Sequence, residues 1–171
     1  MDIVDFITSR RSIRKYTGEP LLEGQIEQLL ECGMYAPSAV NCQPWHFIVI
    51  DEKELLQKMS EIHPYASMLP GAAAAILVCG DENRAHTKDY WPVDCAAATE
   101  NILLAAHGTG LGAVWLGIYP REERIEAFTK LFSLPAHIHP FSLISLGYPA
   151  EEKKKRTDRF DTEKIHYNSW K

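Results

Sequence analysis

Four short apolar runs separated by stretches of helical spacing constrain this chain more than any other feature. Trp45–Ile50 (WHFIVI), Ala72–Cys79 (AAAAILVC), Gly112–Tyr119 (GAVWLGIY) and Phe141–Leu146 (FSLISL) are rich in β-branched, aromatic and small apolar residues. Runs of this length and composition read as strands. Between them, Glu52–Ile62 carries Leu55, Leu56 and Met59 at helical spacing and stops near His63-Pro64. Val93–Gly108 repeats the pattern at Ala97, Ile102, Leu103 and Ala106, with Gly108 as the C′ stop, and Arg121–Phe132 gives a further amphipathic helix. Two helices come first, Asp2–Ser9 with Asp2 as N-cap and Leu22–Met34. Strands separated by helices imply an α/β or α+β layered domain in which helices cover a small sheet.

Composition narrows the class. At 171 residues, 46% hydrophobic and 24% charged, the chain predicts one globular domain over 1–171 with a core of its own. A net charge of −5 disfavours broad nucleic-acid binding while permitting a local basic pocket. The early residues carry charge where a signal peptide would be apolar, and no run approaches the roughly 20 apolar residues that span a bilayer. Four cysteines show neither CxxC nor Cys/His metal spacing. The expectation is a cytoplasmic protein without membrane or nucleic-acid partner. His137-Ile138-His139 has no carboxylate framework beside it, so no metal site is predicted.

Four places could carry chemistry. Arg10, Arg11, Arg14 and Lys15 cluster around Ser12 where the first helix ends. Guanidinium forks and a hydroxyl suit a phosphate, although cations at a helix C-terminus are also ordinary. In Pro37-Ser38-Ala39-Val40-Asn41-Cys42-Gln43-Pro44, two prolines frame small residues and the amides of Asn41 and Gln43. Those amides match a flat heterocycle, or they satisfy the turn's own backbone. Gly108-Thr109-Gly110-Leu111-Gly112-Ala113 spells GxGxxA but follows a helix and opens a strand, the reverse of a dinucleotide fingerprint. The strand behind it can still offer backbone N–H groups at Leu116 and Gly117. Lys153, Lys154, Lys155 and Arg156 form a second basic run, either solvated or helping to hold an anion. The final segment, 150–171, carries Phe160, Ile165, Tyr167 and Trp170 without helical period. It reads as an arm lying on its own subunit or on another.

In their order along the chain these pieces resemble the FMN-dependent nitroreductase family. Arg10-Arg11-Ser12-Ile13-Arg14-Lys15-Tyr16 is similar to the family's opening RRSxRxF/Y, and Ala36 to Trp45 to its APSAxNxQPW loop. Asp94 to Gly112 resembles the central helix and GLG turn, Leu146-Gly147-Tyr148-Pro149 the late LGYP element, and Arg159 to Asn168 the tails of short members. The resemblance implies an α+β, three-layer fold with a small central mixed sheet flanked by helices. It implies a homodimer with FMN at the interface and the C-terminal arm extended across the partner. Arg10, Ser12 and Arg14 would hold the ribityl phosphate, with Arg11 adding a contact and Arg156, Lys154 or Lys155 a distal one. Pro37, Ser38, Ala39, Asn41 and Gln43 would line the isoalloxazine from the partner subunit, and the backbone of Leu116 and Gly117 would meet its N5 edge. The implied activity passes electrons from NAD(P)H through FMN, in ping-pong fashion, to nitroaromatics, quinones or similar small acceptors, with no catalytic side chain needed. A flavin-binding protein used for storage or sensing, and a phosphate-binding module without flavin, are the alternatives. The long insertion that some members carry after the central helix is missing, which leaves the acceptor pocket's shape open.

Overall fold

A computed structural model describes residues 2–87 and 89–170. In chain order its elements are α1 (Ile3–Ser9), α2 (Gln25–Met34), β1 (Trp45–Ile50), α3 (Lys53–Ile62), β2 (Ala74–Asp81), α4 (Trp91–Gly108), β3 (Gly112–Gly117), α5 (Glu122–Phe132) and β4 (Ile138–Gly147). Short 3₁₀ turns lie at Ala39–Asn41, Leu69–Gly71 and Thr162–Lys164. Among the described residues, no helix is long and apolar enough to cross a membrane.

The strands form one sheet in the order β1-β2-β4-β3. All three pairings are antiparallel, which corrects the expected mixed sheet. The cause is where each helix returns the chain. Ile50 pairs with Ala75, so the path through α3 re-enters the sheet at the end it left. The spacing of apolar residues reports that a helix intervenes, and is silent on which end it leads back to. β2 and β3 do run parallel, but β4 lies between them. Among the described residues, parallel pairing is confined to an isolated bridge, Ser12 to Ala113.

Both faces of the sheet are covered. Ile76, Val78, Ile144 and Leu146 pack with Leu29 of α2 and Cys95, Ala98, Ile102 and Leu103 of α4. The alternate positions Ala75, Leu77, Cys79, Val114, Leu116 and Leu143 pack with Leu56 and Met59 of α3 and Phe128 of α5. The period of two therefore splits β2 and β4 between two cores, giving the α+β, three-layer arrangement. It also explains why these strands read as continuous apolar runs.

Several boundaries moved for identifiable reasons. β4 starts at Ile138 rather than Phe141 because the register shifts opposite Val78 and Cys79, letting Pro140 sit at an irregularity where its missing N–H costs nothing. α4 starts at Trp91 because Pro92 is tolerated in a first turn. α2 starts at Gln25 after Gly24, whose φ of 81° ends the preceding turn. Asp2 stands at the N-cap of α1 but makes no side-chain cap bond. Gly108 is helical; the left-handed stop is Gly110 (φ 79°). The Gly110 N–H reaches His107 O at 3.3 Å and the Leu111 N–H reaches Ala106 O at 2.8 Å, a Schellman termination that aims the chain into β3.

One glycine marks the tightest approach between sheet and helix. A Cβ on Gly80 would collide with the Trp91 ring. Gly80→Ala should therefore destabilise by about 1–3 kcal/mol, the usual cost of overpacking. Urea unfolding at fixed protein concentration measures it, and an unchanged midpoint would contradict this packing.

Candidate functional site

β3 is an edge strand, so one row of its backbone groups has no strand partner. The Ala113 carbonyl faces outward and accepts the Ile13 N–H at 2.9 Å. Alternation along a strand then turns the N–H and C=O of Trp115 and Gly117 to the same open side. Gly117 agrees: its carbonyl accepts from His63 Nε2 at 2.9 Å and from Arg124 Nη1 at 2.7 Å, away from β4. Trp115 and Gly117 line a cavity of about 470 Å³ together with Arg14, His63, Tyr65 and Met68. A Cβ on Gly117 would meet only Tyr119 O, at 4.0 Å, so approach to this backbone is open. Leu116, expected to offer its backbone, turns it to β4 and buries its side chain against α3 and α5. Leu116 nevertheless lines the same cavity, beside Trp115 whose backbone parity turns to the open side.

His63, which sequence reasoning passed over as a helix stop, is buried. Its Nδ1 accepts the Tyr65 N–H at 3.2 Å, so the proton lies on Nε2 and points at Gly117 O. Burial pushes its pKa down, the Gly117 bond opposes this, and the Arg124 charge adds to the lowering. Arg124 lies with its guanidinium 5.6 Å from the Tyr65 ring centre.

The arginine cluster lies next along the same edge. A cavity of about 280 Å³ is lined by Ser9, Arg10, Arg11, His107, Glu151 and Lys153. Arg11 spends most of its donors internally: Nη1 on Thr8 O (2.9 Å) and Arg10 O (2.6 Å), Nε on Lys154 O (3.1 Å). Among the described residues its Nη2 is buried without a hydrogen-bond partner. Desolvation first, then the charges of Arg159, Arg10 and Arg156, hold Arg11 below the ordinary arginine value. Such a field of like charge favours an anion. Arg10 pairs with Glu100 at 3.4 Å and also lines a second cleft, of about 580 Å³, with Lys155, Arg156, Arg159 and Phe160. Of the three residues expected as a distal contact, Lys154 gives its carbonyl to Arg11, Lys155 pairs with Asp5 at 2.6 Å, and Arg156 shares the cleft with Arg10. Arg159, not singled out from the sequence, joins it there. Ser12 uses its backbone to bridge to Ala113 and is half-buried.

Glu151 stands between the two cavities. It accepts the Arg14 N–H at 2.6 Å, which is the main reason its carboxyl lies below the usual range, and it pairs with Lys153 at 3.4 Å. Arg14 itself is exposed and faces the larger cavity.

The proline-framed loop is folded on itself. The Gln43 N–H donates to Ser38 Oγ (3.0 Å), Gln43 Nε2 to Asn41 Oδ1 (2.9 Å), and the Ala39 N–H to Asp94 Oδ1 (2.9 Å). The turn thus satisfies its own backbone, one of the two readings of these amides. Yet Val40, Asn41 and Gln43 all have positive φ, 44°, 58° and 47°. For a β-branched residue that is a strained conformation, and such strain gathers where a loop must present a surface. Buried Asp94, in the first turn of α4, holds the loop from beneath. Pro37, Asn41 and Gln43 remain exposed, Ser38 and Ala39 half-buried. The loop sits at the Asp94 end of α4, whereas the arginine cavity lies at Leu103 and His107. Nine to thirteen residues of helix amount to roughly 14–20 Å. One chain therefore places Arg10, Arg11, Arg14, Trp115 and Gly117 along one edge and keeps Pro37 to Gln43 apart.

His107, whose Nε2 meets Ser9 Oγ at 2.9 Å, is also pushed down, by burial and then by Arg10 and Arg11. Both imidazoles thus bind protons less readily folded than at the unfolded value of 6.5. Below that value the unfolded chain binds more protons, so this stability is full above pH 6.5 and lost as pH falls. Glu151 acts in a separate window, below 4.5. Between pH 6.5 and 5, urea midpoints should fall, and the double variant His63→Gln, His107→Gln should flatten that fall. An equal slope in the variant would contradict the assignment.

Comparison with known proteins places this geometry. The nitroreductase family model matches residues 7–63 and 61–148. A protein of Methanothermobacter thermautotrophicus, named as a candidate NADH dehydrogenase/NAD(P)H nitroreductase, is 49% identical over 99% of this chain and 88% of its own length. The crystal structure of a protein so named from Parabacteroides distasonis superposes with a TM-score of 0.93 at 40% identity, covering 98% of both chains. An FMN-dependent nitroreductase of Clostridium difficile superposes at 0.91 with 30% identity, covering 98% of this chain and all of that one. The chain belongs to the nitroreductase family.

Proposed function

We propose that this chain is an FMN-dependent NAD(P)H oxidoreductase that reduces nitroaromatics, quinones or similar electron-poor small molecules in ping-pong alternation with the nicotinamide. The observation that carries the reading is one strand edge holding two complementary features. An arginine cavity with an unsatisfied buried Nη2 adjoins backbone donors of Trp115 and Gly117 that face away from β4. The first fits a phosphate and the second the acceptor-rich rim of a flavin ring, so the residues present fit FMN. When bound, FMN supplies the redox chemistry, accepting electrons from NAD(P)H and passing them on.

The chain's own groups do the rest. Arg10 and Arg11 would hold the phosphate at the smaller cavity, with Arg156 and Arg159 adding positive charge from the neighbouring cleft, and Ser12 bridges to β3 in the turn that carries Arg10 and Arg11. Arg14 brings positive charge to the cavity beside Gly117, where it stabilises negative charge on a reduced ring. The Trp115 and Gly117 N–H groups orient that ring's edge. No side-chain acid or base is required.

The reading includes a homodimer. Pro37 to Gln43 lie far along α4 from the arginines in one chain, and a second copy brings its loop to the first copy's edge. Large apolar groups stand exposed on α1 (Ile3, Val4, Ile7), near the end of α2 (Met34, Tyr35) and along the tail (Phe160, Tyr167, Trp170). Exposed apolar groups clustered on these segments suit an interface, and an arm laid across the partner would cover the tail's rings. The four free cysteines suit the cytoplasm.

Purified protein should be yellow, elute as a dimer, and bleach anaerobically with NADH or NADPH. A yellow protein reduced by dithionite and by neither nicotinamide would instead be a flavin carrier. Arg10→Ala with Arg156→Ala should weaken FMN by one to two decades per contact, about 1.5–3 kcal/mol each. Unchanged affinity would move the phosphate elsewhere.

A further inference from the structure

Gly117 ends β3, and its geometry needs outside support. Immediately after it, the N–H groups of Ile118 and Tyr119 both donate to Phe141 O, at 3.1 and 2.9 Å, so regular pairing stops there. Glycine has no side chain to restrict its backbone, and a strand-end glycine is free to rotate unless it is held. Two donors from separate elements hold this one. His63, just past the end of α3, brings Nε2–H to the carbonyl at 2.9 Å, and Arg124, in the first turns of α5, brings Nη1–H at 2.7 Å.

We propose that His63 and Arg124 are positioning residues that clamp the Gly117 carbonyl and thereby hold the Gly117 N–H, which leaves the same open edge of β3, toward the flavin edge. This rests on the functional reading above. Each residue is itself fixed: His63 by the Tyr65 N–H at 3.2 Å on Nδ1, Arg124 by the Tyr65 ring at 5.6 Å. The two donors are not equivalent. His63 is uncharged in this tautomer and contributes direction. Arg124 contributes direction and a positive charge beside that same edge, which favours the more negative, reduced state of a ring held there.

The test compares wild type with His63→Met, His63→Gln and Arg124→Met. The readouts are FMN affinity, from quenching of flavin fluorescence, and midpoint potential, from anaerobic dithionite titration. His63→Met removes the donor at similar volume and should weaken FMN threefold to tenfold, the scale of one neutral hydrogen bond. His63→Gln keeps an N–H in place of Nε2–H and should stay within twofold of wild type. Arg124→Met should weaken FMN and also lower the midpoint potential. A threefold change in the ratio of oxidised to reduced affinity reads as about 14 mV for a two-electron couple. A purely structural role would change thermal stability and leave the potential in place. Should His63→Met fail to fold, Arg124→Met, whose side chain is only half-buried, decides alone. Wild-type FMN affinity and potential in Arg124→Met would overturn the inference while leaving the functional reading intact. Wild-type protein that binds no FMN would overturn the functional reading first.

Discussion

The polar edge of β3 governs much of this molecule. An edge strand presents backbone groups that must find partners other than a neighbouring strand. Here each open position is met differently. At Ala113 the segment after α1 docks, Ile13 N–H on the carbonyl, and this contact sets where Arg10, Arg11 and Arg14 emerge. At Gly117 the carbonyl is met by His63 and Arg124 from the far layer. Between them the donors of Trp115 and Gly117 face a cavity. Arginines and backbone donors come together because one strand lacks a neighbour.

Rigidity behind that edge comes from the two-sided core. β2 and β4 are buried along nearly their whole length and give alternate side chains to two separate clusters. A one-residue slip would exchange both faces at once, so register is firmly specified. β3 hangs on β4 through Gly112 to Gly117, and the Schellman turn at Gly110 delivers α4 into it in a fixed direction. The site is therefore held by strand and helix ends. The loop at Pro37 to Gln43 is held differently, by a buried carboxylate and by its own side-chain bonds, with Val40 strained among them.

Much of this was legible in the sequence, because apolar period and breaker residues report local geometry. The four strands and five helices follow from them, and the arginine run and the proline loop announce themselves by composition. What was hidden involves long-range placement. Antiparallel pairing depends on where α3 and α5 return the chain. His63 looks like a helix stop beside Pro64, and Arg124 like one charge on an amphipathic helix; their meeting on Gly117 O joins positions 54 and 7 residues away. That Trp115, beside Leu116, turns its backbone to the open side is read from the Ile13 contact on Ala113 O, a pairing 100 residues apart. Asp94 hides likewise, as a first-turn acid whose partner loop lies 52 to 55 residues earlier.

The central claim is that the outward-facing amides of β3 receive the flavin. Amide hydrogen exchange at Trp115 and Gly117, compared between FMN-free and FMN-loaded protein, tests it most directly. The account predicts that both amides slow markedly on loading while those of Val114 and Leu116, paired with β4, change little. Exchange at Trp115 and Gly117 that stays the same in fully loaded protein would contradict it.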